Sequence, residues 1–154
     1  MTGFEPRDPA WEARIRESFG RQPAMALIGA RFGRLAPGDV EVELPIRHEV
    51  TQQHGFVHGG VVAMVADSAA GYAAFSLMPA DCTLLSVEFK LNFLAPGRGE
   101  TLVARGRVIK PGRTLSIVEV DVDCIDADGV RTSCARMLQT LMSLAGRPDT
   151  PQRG

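Results

Sequence analysis

Aromatic residues make up only 6% of this 154-residue chain, with one Trp and one Tyr, and cysteine is scarce at three. Cys82, Cys124 and Cys134 are odd in number and each lies in an apolar run, which excludes a disulfide scaffold or a CxxC metal site and leaves reduced, buried thiols. An excess of charge is missing too. Lys+Arg 17 against Asp+Glu 18 gives a net charge of -1, so there is no surplus of cations for a phosphate backbone and nucleic acid is not an expected partner. The opening MTGFEPRDPAW lacks a basic segment followed by an apolar one, which argues against a secretory leader and for a cytoplasmic protein. Repeats and low-complexity tracts are absent as well. What remains, at 45% hydrophobic residues, is the composition of one globular domain.

Charge is most depleted between Val50 and Ala80, where Asp67 is the single charged residue although a 23% charged chain predicts about seven. That segment has to be buried. Gln52, Gln53, His54, His58 and the many Gly and Ala residues make it too polar for roughly 20 residues of lipid contact, so it is not a membrane span. Within it, Gly60 to Met78 is apolar almost all round, which predicts a central helix covered on most sides. Its small residues Gly60, Ala63, Ala70, Gly71 and Ala74 allow close approach of a second backbone or a narrow ligand.

The flanking segments change to other periods. Asp8 as N-cap and Pro9 at the first helical position open a short helix, with Trp11, Ile15 and Phe19 on one face and Gly20 at its end. Val40, Val42, Leu44 and Ile46 alternate with polar residues or Pro after the Pro37-Gly38 turn, which predicts a strand whose hairpin partner lies in 24–34. Leu85, Val87, Phe89, Leu91 and Phe93 alternate with Ser86, Glu88, Lys90 and Asn92, predicting one core face and one polar face. Turns at Pro96-Gly97, Pro111-Gly112 and Asp128-Gly129 then separate strands near 100–110, 113–126 and 130–143, and a change of phase at Ile117-Val118 predicts a β-bulge. A long central helix embraced by an antiparallel sheet of five or six strands is an α+β arrangement, the hotdog fold. The expected organisation is an N-terminal helix (1–20), a hotdog domain (21–144) and a disordered, Pro- and Gly-rich tail (145–154).

Asp67 is the anomaly in the central helix. A lone carboxylate in apolar surroundings is costly to desolvate unless something polar meets it. Backbone N–H groups or the neighbouring Ser68 hydroxyl are one possibility; the other is a functional site. Upstream, His58-Gly59-Gly60 enters the helix, whose N-terminus offers unpaired N–H groups and partial positive charge to a developing anion. Gly59 and Asp67 are eight residues apart, about 12 Å along a helix, whereas attack on a bound carbonyl needs the acid and its water within about 3 Å. If both serve one site, the helices of two subunits must run antiparallel, giving a homodimer with two identical sites.

The stretch Gln52-x-x-x-x-x-His58-Gly59-Gly60-x-x-x-x-x-x-Asp67, with Ser86-Val87-Glu88, Asn92-Phe93-Leu94-Ala95-Pro96-Gly97 and Gly112-Arg113, resembles the PaaI-like acyl-CoA thioesterases of the hotdog superfamily over about residues 20–143. The resemblance implies Asp67 as the catalytic carboxylate, general base or nucleophile, with Gly59 supplying the N–H that polarises the thioester carbonyl and His58 beside it. Gln52 falls where relatives position the water or the thioester, and Ser86, or Thr83 if the loop is aligned differently, matches a hydroxyl near the water. It also implies hydrolysis of acyl-CoA thioesters, aromatic such as phenylacetyl or hydroxybenzoyl, or medium-chain, and a homotetramer of two dimers.

A thioester has a good leaving group, so a desolvated carboxylate and oriented N–H donors suffice without metal, serine triad or cofactor; coenzyme A belongs to the substrate. Gly60, Val61, Met64, Phe75 and Phe89 are expected around the acyl group, and Lys90, Arg105, Arg107, Lys110 and above all Arg113 are candidates for the CoA phosphates. His54 and His58 are four apart and could share a metal with Asp67, but Gly55 between them disfavours a helix and the Glu of zinc hydrolases is missing. His54 is then a loop residue lining the site or a hydrogen-bonded structural imidazole. The rival functions are a non-catalytic acyl-CoA-binding protein, which would lack the acid, and a hotdog hydratase or dehydratase, whose His-Phe-Pro-Gly type of loop is absent.

Overall fold

A computed structural model describes residues 3–150. The elements run α1 (Trp11–Gly20), α2 (Pro23–Ile28), β1 (Arg31–Ala36), β2 (Asp39–Pro45), a short 3-10 turn (His48–Val50), α3 (Gly59–Phe75), β3 (Cys82–Phe93), β4 (Thr101–Lys110), β5 (Leu115–Ile125) and β6 (Arg131–Ala145). The six strands form one sheet in the order β1-β2-β4-β5-β6-β3, antiparallel throughout. α3 lies across its inner face, and this is the hotdog arrangement. Small residues set how close helix and sheet come: Ala66, Ala69, Ala70 and Ala73 are buried, and a Cβ at Gly106 of β4 would sit 2.6 Å from the Ala69 carbonyl oxygen. Cys82, Cys124 and Cys134 are buried free thiols. No described helix is long and apolar enough to cross a membrane.

Several boundaries differ from the sequence reading, each for a local reason. α1 begins at Trp11, because the Asp8 carboxylate accepts from Ala10 N at 2.9 Å and the Asp8 carbonyl from Trp11 N at 3.1 Å, closing a turn ahead of the helix. Residues 24–28 of the expected 24–34 strand belong instead to α2, which has Pro23 at its start and Gly29 at φ 77 as a left-handed cap. α3 starts at Gly59 and stops at Phe75; Leu77 and Met78 stay buried in a tight turn before Pro79. The phase of β5 does not change at Ile117-Val118. Ser116, Val118, Val120 and Val122 all face inward, and the extra residue lies on the partner strand, between Val108 and Lys110 of β4. In the tail, Ala145 closes β6 and Asp149 is bonded by Arg21 and Thr83 instead of being free, while residues 151–154 lie outside the described residues.

The largest departure is β3. It pairs with β6 alone and ends the sheet. A register shift between Ser86 and Glu88 reverses its faces, so that Leu84 and Ser86 point toward α3, Leu85 points away, and Phe89, Leu91 and Phe93 return to the helix side. Leu85, Val87, Phe89 and Phe93 are 44–60% exposed, so the expected core face is not covered within one chain.

Arg14 ties the N-terminal segment to the end of α3. Its Nη1 and Nη2 donate to the carbonyls of Pro79 and Met78, both at 2.7 Å, and of Phe75 at 3.2 Å and Cys82 at 3.4 Å. The guanidinium also lies over the Phe75 ring, 4.3 Å from its centroid, with Nε 3.0 Å from Asp8 Oδ2. One side chain therefore caps the turn that follows the helix, adding a second donor to the Phe75 and Pro79 carbonyls, which already accept from Met78 N and Cys82 N. Arg14→Met is expected to cost about 2–4 kcal/mol by removing these charge-assisted bonds, read as a lower denaturant midpoint with unchanged slope.

On the outer face, Arg105 Nε and Nη2 donate to the two carboxylate oxygens of the buried Asp39 at 2.8 and 2.6 Å. This pairing holds the Asp39 carboxyl below its ordinary value of 3.8 in spite of burial. The unfolded chain then takes up the proton first, so the contribution to stability is complete above about pH 4 and is lost as pH falls toward the folded value. Asp39→Asn is expected to flatten the acid limb of the unfolding profile, followed by circular dichroism from about pH 5 to about pH 2.

Candidate active site

Two groups of site residues lie on different parts of α3. At its N-terminus His58 is the N-cap, in extended conformation, and its Nδ1 accepts from Gly60 N at 2.9 Å. Its own N–H is bonded to the Val50 carbonyl, and its carbonyl accepts from Val61 N and Val62 N. The first turn is thereby accounted for except at Gly59, whose N–H has no partner among the described residues. Because Nδ1 is the acceptor, the neutral imidazole carries its hydrogen on Nε2, a second donor at this corner. A Cβ at Gly59 would meet Phe93 Cζ at 2.9 Å, so glycine is what lets this ring lie against the helix tip.

A cavity of 430 Å³ opens here, lined by Gln52, Phe56, Gly59, Val62 and Phe93 among others. Gln52 is placed by a tight turn over 52–56, in which its N–H donates to the Phe56 carbonyl, its carbonyl accepts from Gly55 N, and Gly55 takes φ 79. Its Oε1 accepts from His54 N, and Nε2 has no partner among the described residues. The His54 ring is exposed and does not line this cavity. Among the described residues, no cluster of three metal-ligating side chains exists.

Asp67 is two turns further along α3 and faces a separate cavity of 310 Å³, with Met25, Met64, Gly71, Phe75 and Ser86 in its lining. Ser86 Oγ donates to Asp67 Oδ1 at 2.6 Å, and Gln139 Nε2 donates to the same oxygen and, at 2.9 Å, contacts Ser86 Oγ. Oδ2 has no partner among the described residues. Ser68, the partner considered from sequence, instead bonds Met25 Sδ at 3.4 Å. Ser86, not Thr83, is the hydroxyl against the acid; Thr83 Oγ1 donates to Asp149 Oδ1 at 2.9 Å. One carboxylate oxygen is thus pinned from the sheet, and the other has no partner among the described residues.

Gln139 was not singled out in the sequence. It is fully buried on β6, opposite Phe89 of β3 and Val118 of β5. Its Nε2 spends both hydrogens on Asp67 and Ser86, which leaves Oε1 buried without a partner at a cost of about 1–3 kcal/mol. The flipped amide would set Oε1 against the carboxylate, so the carboxylate decides the orientation. The available signal was a polar residue at an inward position between Met137 and Leu141.

The other expected residues are scattered. Gly60 has its N–H committed to the cap, Val61 is half-buried against the core, and Met64 is 38% exposed. Phe89 and Lys90 are exposed on β3. Arg113 lines a different cavity at the far end of α3, beside Arg7, Ala74 and Leu77. Arg105 and Arg107 are drawn away from the role of phosphate ligands, being paired with Asp39 and with Glu119 and Asp121 respectively.

Residues 54–130 match the Thioesterase superfamily, and the chain belongs to that family. It is a thioester hydrolase. A thioesterase family protein from Silicibacter pomeroyi is 48% identical, with a TM-score of 0.86 over 88% of this chain and 99% of that one. Acyl-coenzyme A thioesterase 13 of Homo sapiens is 32% identical over 93 residues, which are 56% of this chain and 62% of its own length. The E. coli PaaI protein from the phenylacetic acid degradation operon shares the fold, at 19% identity and a TM-score of 0.76, over 89% of this chain and 94% of its own.

If Gln139 holds Asp67 and Ser86 in register, Gln139→Leu should lower kcat for thioester hydrolysis about 10- to 100-fold with a smaller change in KM, measured by thiol release.

Proposed function

We propose that the protein hydrolyses acyl-CoA thioesters to free acid and CoA in sites shared between two subunits. The observation that carries this reading is the pair of unsatisfied groups on one helix. The Gly59 N–H and Asp67 Oδ2 are complementary to an oxyanion and to a water proton, yet they are about 12 Å apart by helical rise and open on different cavities. An antiparallel α3 from a second subunit brings Gly59 of one chain beside Asp67 of the other.

The uncovered surface favours the same pairing. Gly60 and Met64 are exposed and Asp67 is half-exposed along one stripe of α3, next to the apolar side chains and free backbone edge of β3. A second β3 paired to that edge would continue the sheet and cover Phe89 and Phe93. The outer face, where Leu85, Leu115 and Leu138 are exposed, is the surface available for a dimer of dimers.

In such a site Asp67 Oδ2 takes a proton from a water that attacks the thioester carbonyl. The oxyanion is met by the partner's free N–H and the adjacent imidazole, and collapse expels the CoA thiolate. Nucleophilic attack by Asp67 through an anhydride is the alternative use of the same oxygen. Neither route calls on a cofactor, since the leaving group is already good. Lys90 and Arg113, which have no ion pair among the described residues, are the candidates for the CoA phosphates, and the cavity at Asp67 suits a medium-chain or an aromatic acyl group.

A panel of acyl-CoA esters tests the reading. Wild type should release free thiol, and Asp67→Asn should reduce turnover by about 10³-fold or more. Binding of acyl-CoA without thiol release would favour a sensor, and hydration of a crotonyl-type ester would favour a hydratase. For the shared site, Phe89→Asp at the β3 edge should yield monomers by sedimentation and abolish turnover; an active monomer would disprove sharing.

A further inference from the structure

The cavity at Asp67 has apolar walls at Met25, Met64 and Leu84 and a polar end formed by Ser18, Gln22, Tyr72 and Asp149. The polar groups of this end are turned on one another. Tyr72 OH lies 3.1 Å from Ser18 Oγ and accepts from Gln22 Nε2 at 3.0 Å. Asp149 Oδ1 accepts from Thr83 Oγ1 at 2.9 Å, Oδ2 from Arg21 Nη2 at 2.8 Å, and the Asp149 carbonyl from the same Nη2 at 2.5 Å. Burial pushes the Tyr72 hydroxyl up from its ordinary value, so it remains the neutral partner of this network. The polar groups of this end are therefore committed to one another and are not waiting donors.

Adjoining this end is a second, more open cavity of 530 Å³, lined by Arg21, Thr83, Leu85, Leu144 and Pro148 among others. The two cavities have Ser18, Gln22, Leu84 and Asp149 in common. Of these, only Asp149 comes from the C-terminal segment after β6, and its side chain is held across the boundary by Arg21 of α1's C-cap and Thr83 of β3. The side chains of Arg21 and Asp149 are 34% and 32% exposed, so this latch is near the surface.

We propose that Asp149, latched by Arg21 and Thr83, is a specificity-determining residue that sets the longest acyl chain accepted, by standing between the cavity at Asp67 and the larger one that adjoins it. The proposal rests on the acyl-CoA hydrolase reading above. Without the latch the two spaces join, and a longer straight chain runs past Leu84 toward Leu144.

The test measures kcat/KM for straight-chain acyl-CoA esters from about four to about sixteen carbons. Wild type should show a sharp cut-off in length. Asp149→Ala and Arg21→Ala should move the cut-off to longer chains, raising the ratio of longer- to shorter-chain kcat/KM by about tenfold or more at the first length that wild type rejects. Asp149→Asn keeps an acceptor for Thr83 and the backbone carbonyl for Arg21, so it should retain the wild-type cut-off. An unchanged cut-off in both alanine variants overturns the proposal, and so does an asparagine variant that behaves like alanine. Absence of thiol release from every ester sinks the hydrolase reading instead; in that event calorimetric affinities for non-hydrolysable acyl-CoA thioethers must show the same cut-off and the same shifts, or the proposal fails too.

Discussion

Asp67 stands on a helix that carries no other charge, and everything that makes it tolerable comes from outside that helix. Ser86 of β3 and Gln139 of β6 reach it from adjacent strands, and both bond the same oxygen. The sheet must curl far enough for these strands to meet the helix, which is possible because the opposite contact, Gly106 against Ala69, has no side chain in the way. A methyl group at Gly106 would push α3 outward and loosen the grip on Asp67 two residues earlier in the same helix. Close packing at one side of the helix and hydrogen bonding at the other are one constraint.

The ends of α3 are handled differently. At the N-terminus a single side chain, His58, satisfies Gly60 and leaves Gly59 over, so the incomplete cap is where a donor becomes available. At the C-terminus Arg14 gathers the carbonyls of Phe75, Met78, Pro79 and Cys82. The helix thus keeps a free donor at one end and is tied down by a side chain from another element at the other.

The fold was legible in the sequence because its strongest signals are local: a near-uncharged run for α3, two-residue alternation for β2, and the spacing of the turn dipeptides that separate β4, β5 and β6. The HGG entry and the lone acid were legible because each is anomalous in its surroundings. α2 was missed because an apolar stretch as short as PAMALI has no period that separates helix from strand, although its Pro and Gly flanks were there to be read. β3 was read as half-buried because its alternation is clean in sequence, while the bulge that reverses it and its place at the sheet edge depend on pairing with β6. Gln139 and Asp149 are distant in sequence from the residues they touch, and nothing local marks a glutamine that meets an acid 72 positions away.

The free edge of β3 also bears on how the chain behaves before it is fully assembled. Twelve residues of strand offer unpaired backbone groups beside apolar side chains, a template on which any extended polypeptide can add. If a second copy caps that edge, as proposed above, a newly made chain is in a race between orderly capping and indiscriminate growth of sheet. Folding yield in a concentrated cell then depends on encounter rate as much as on intrinsic stability.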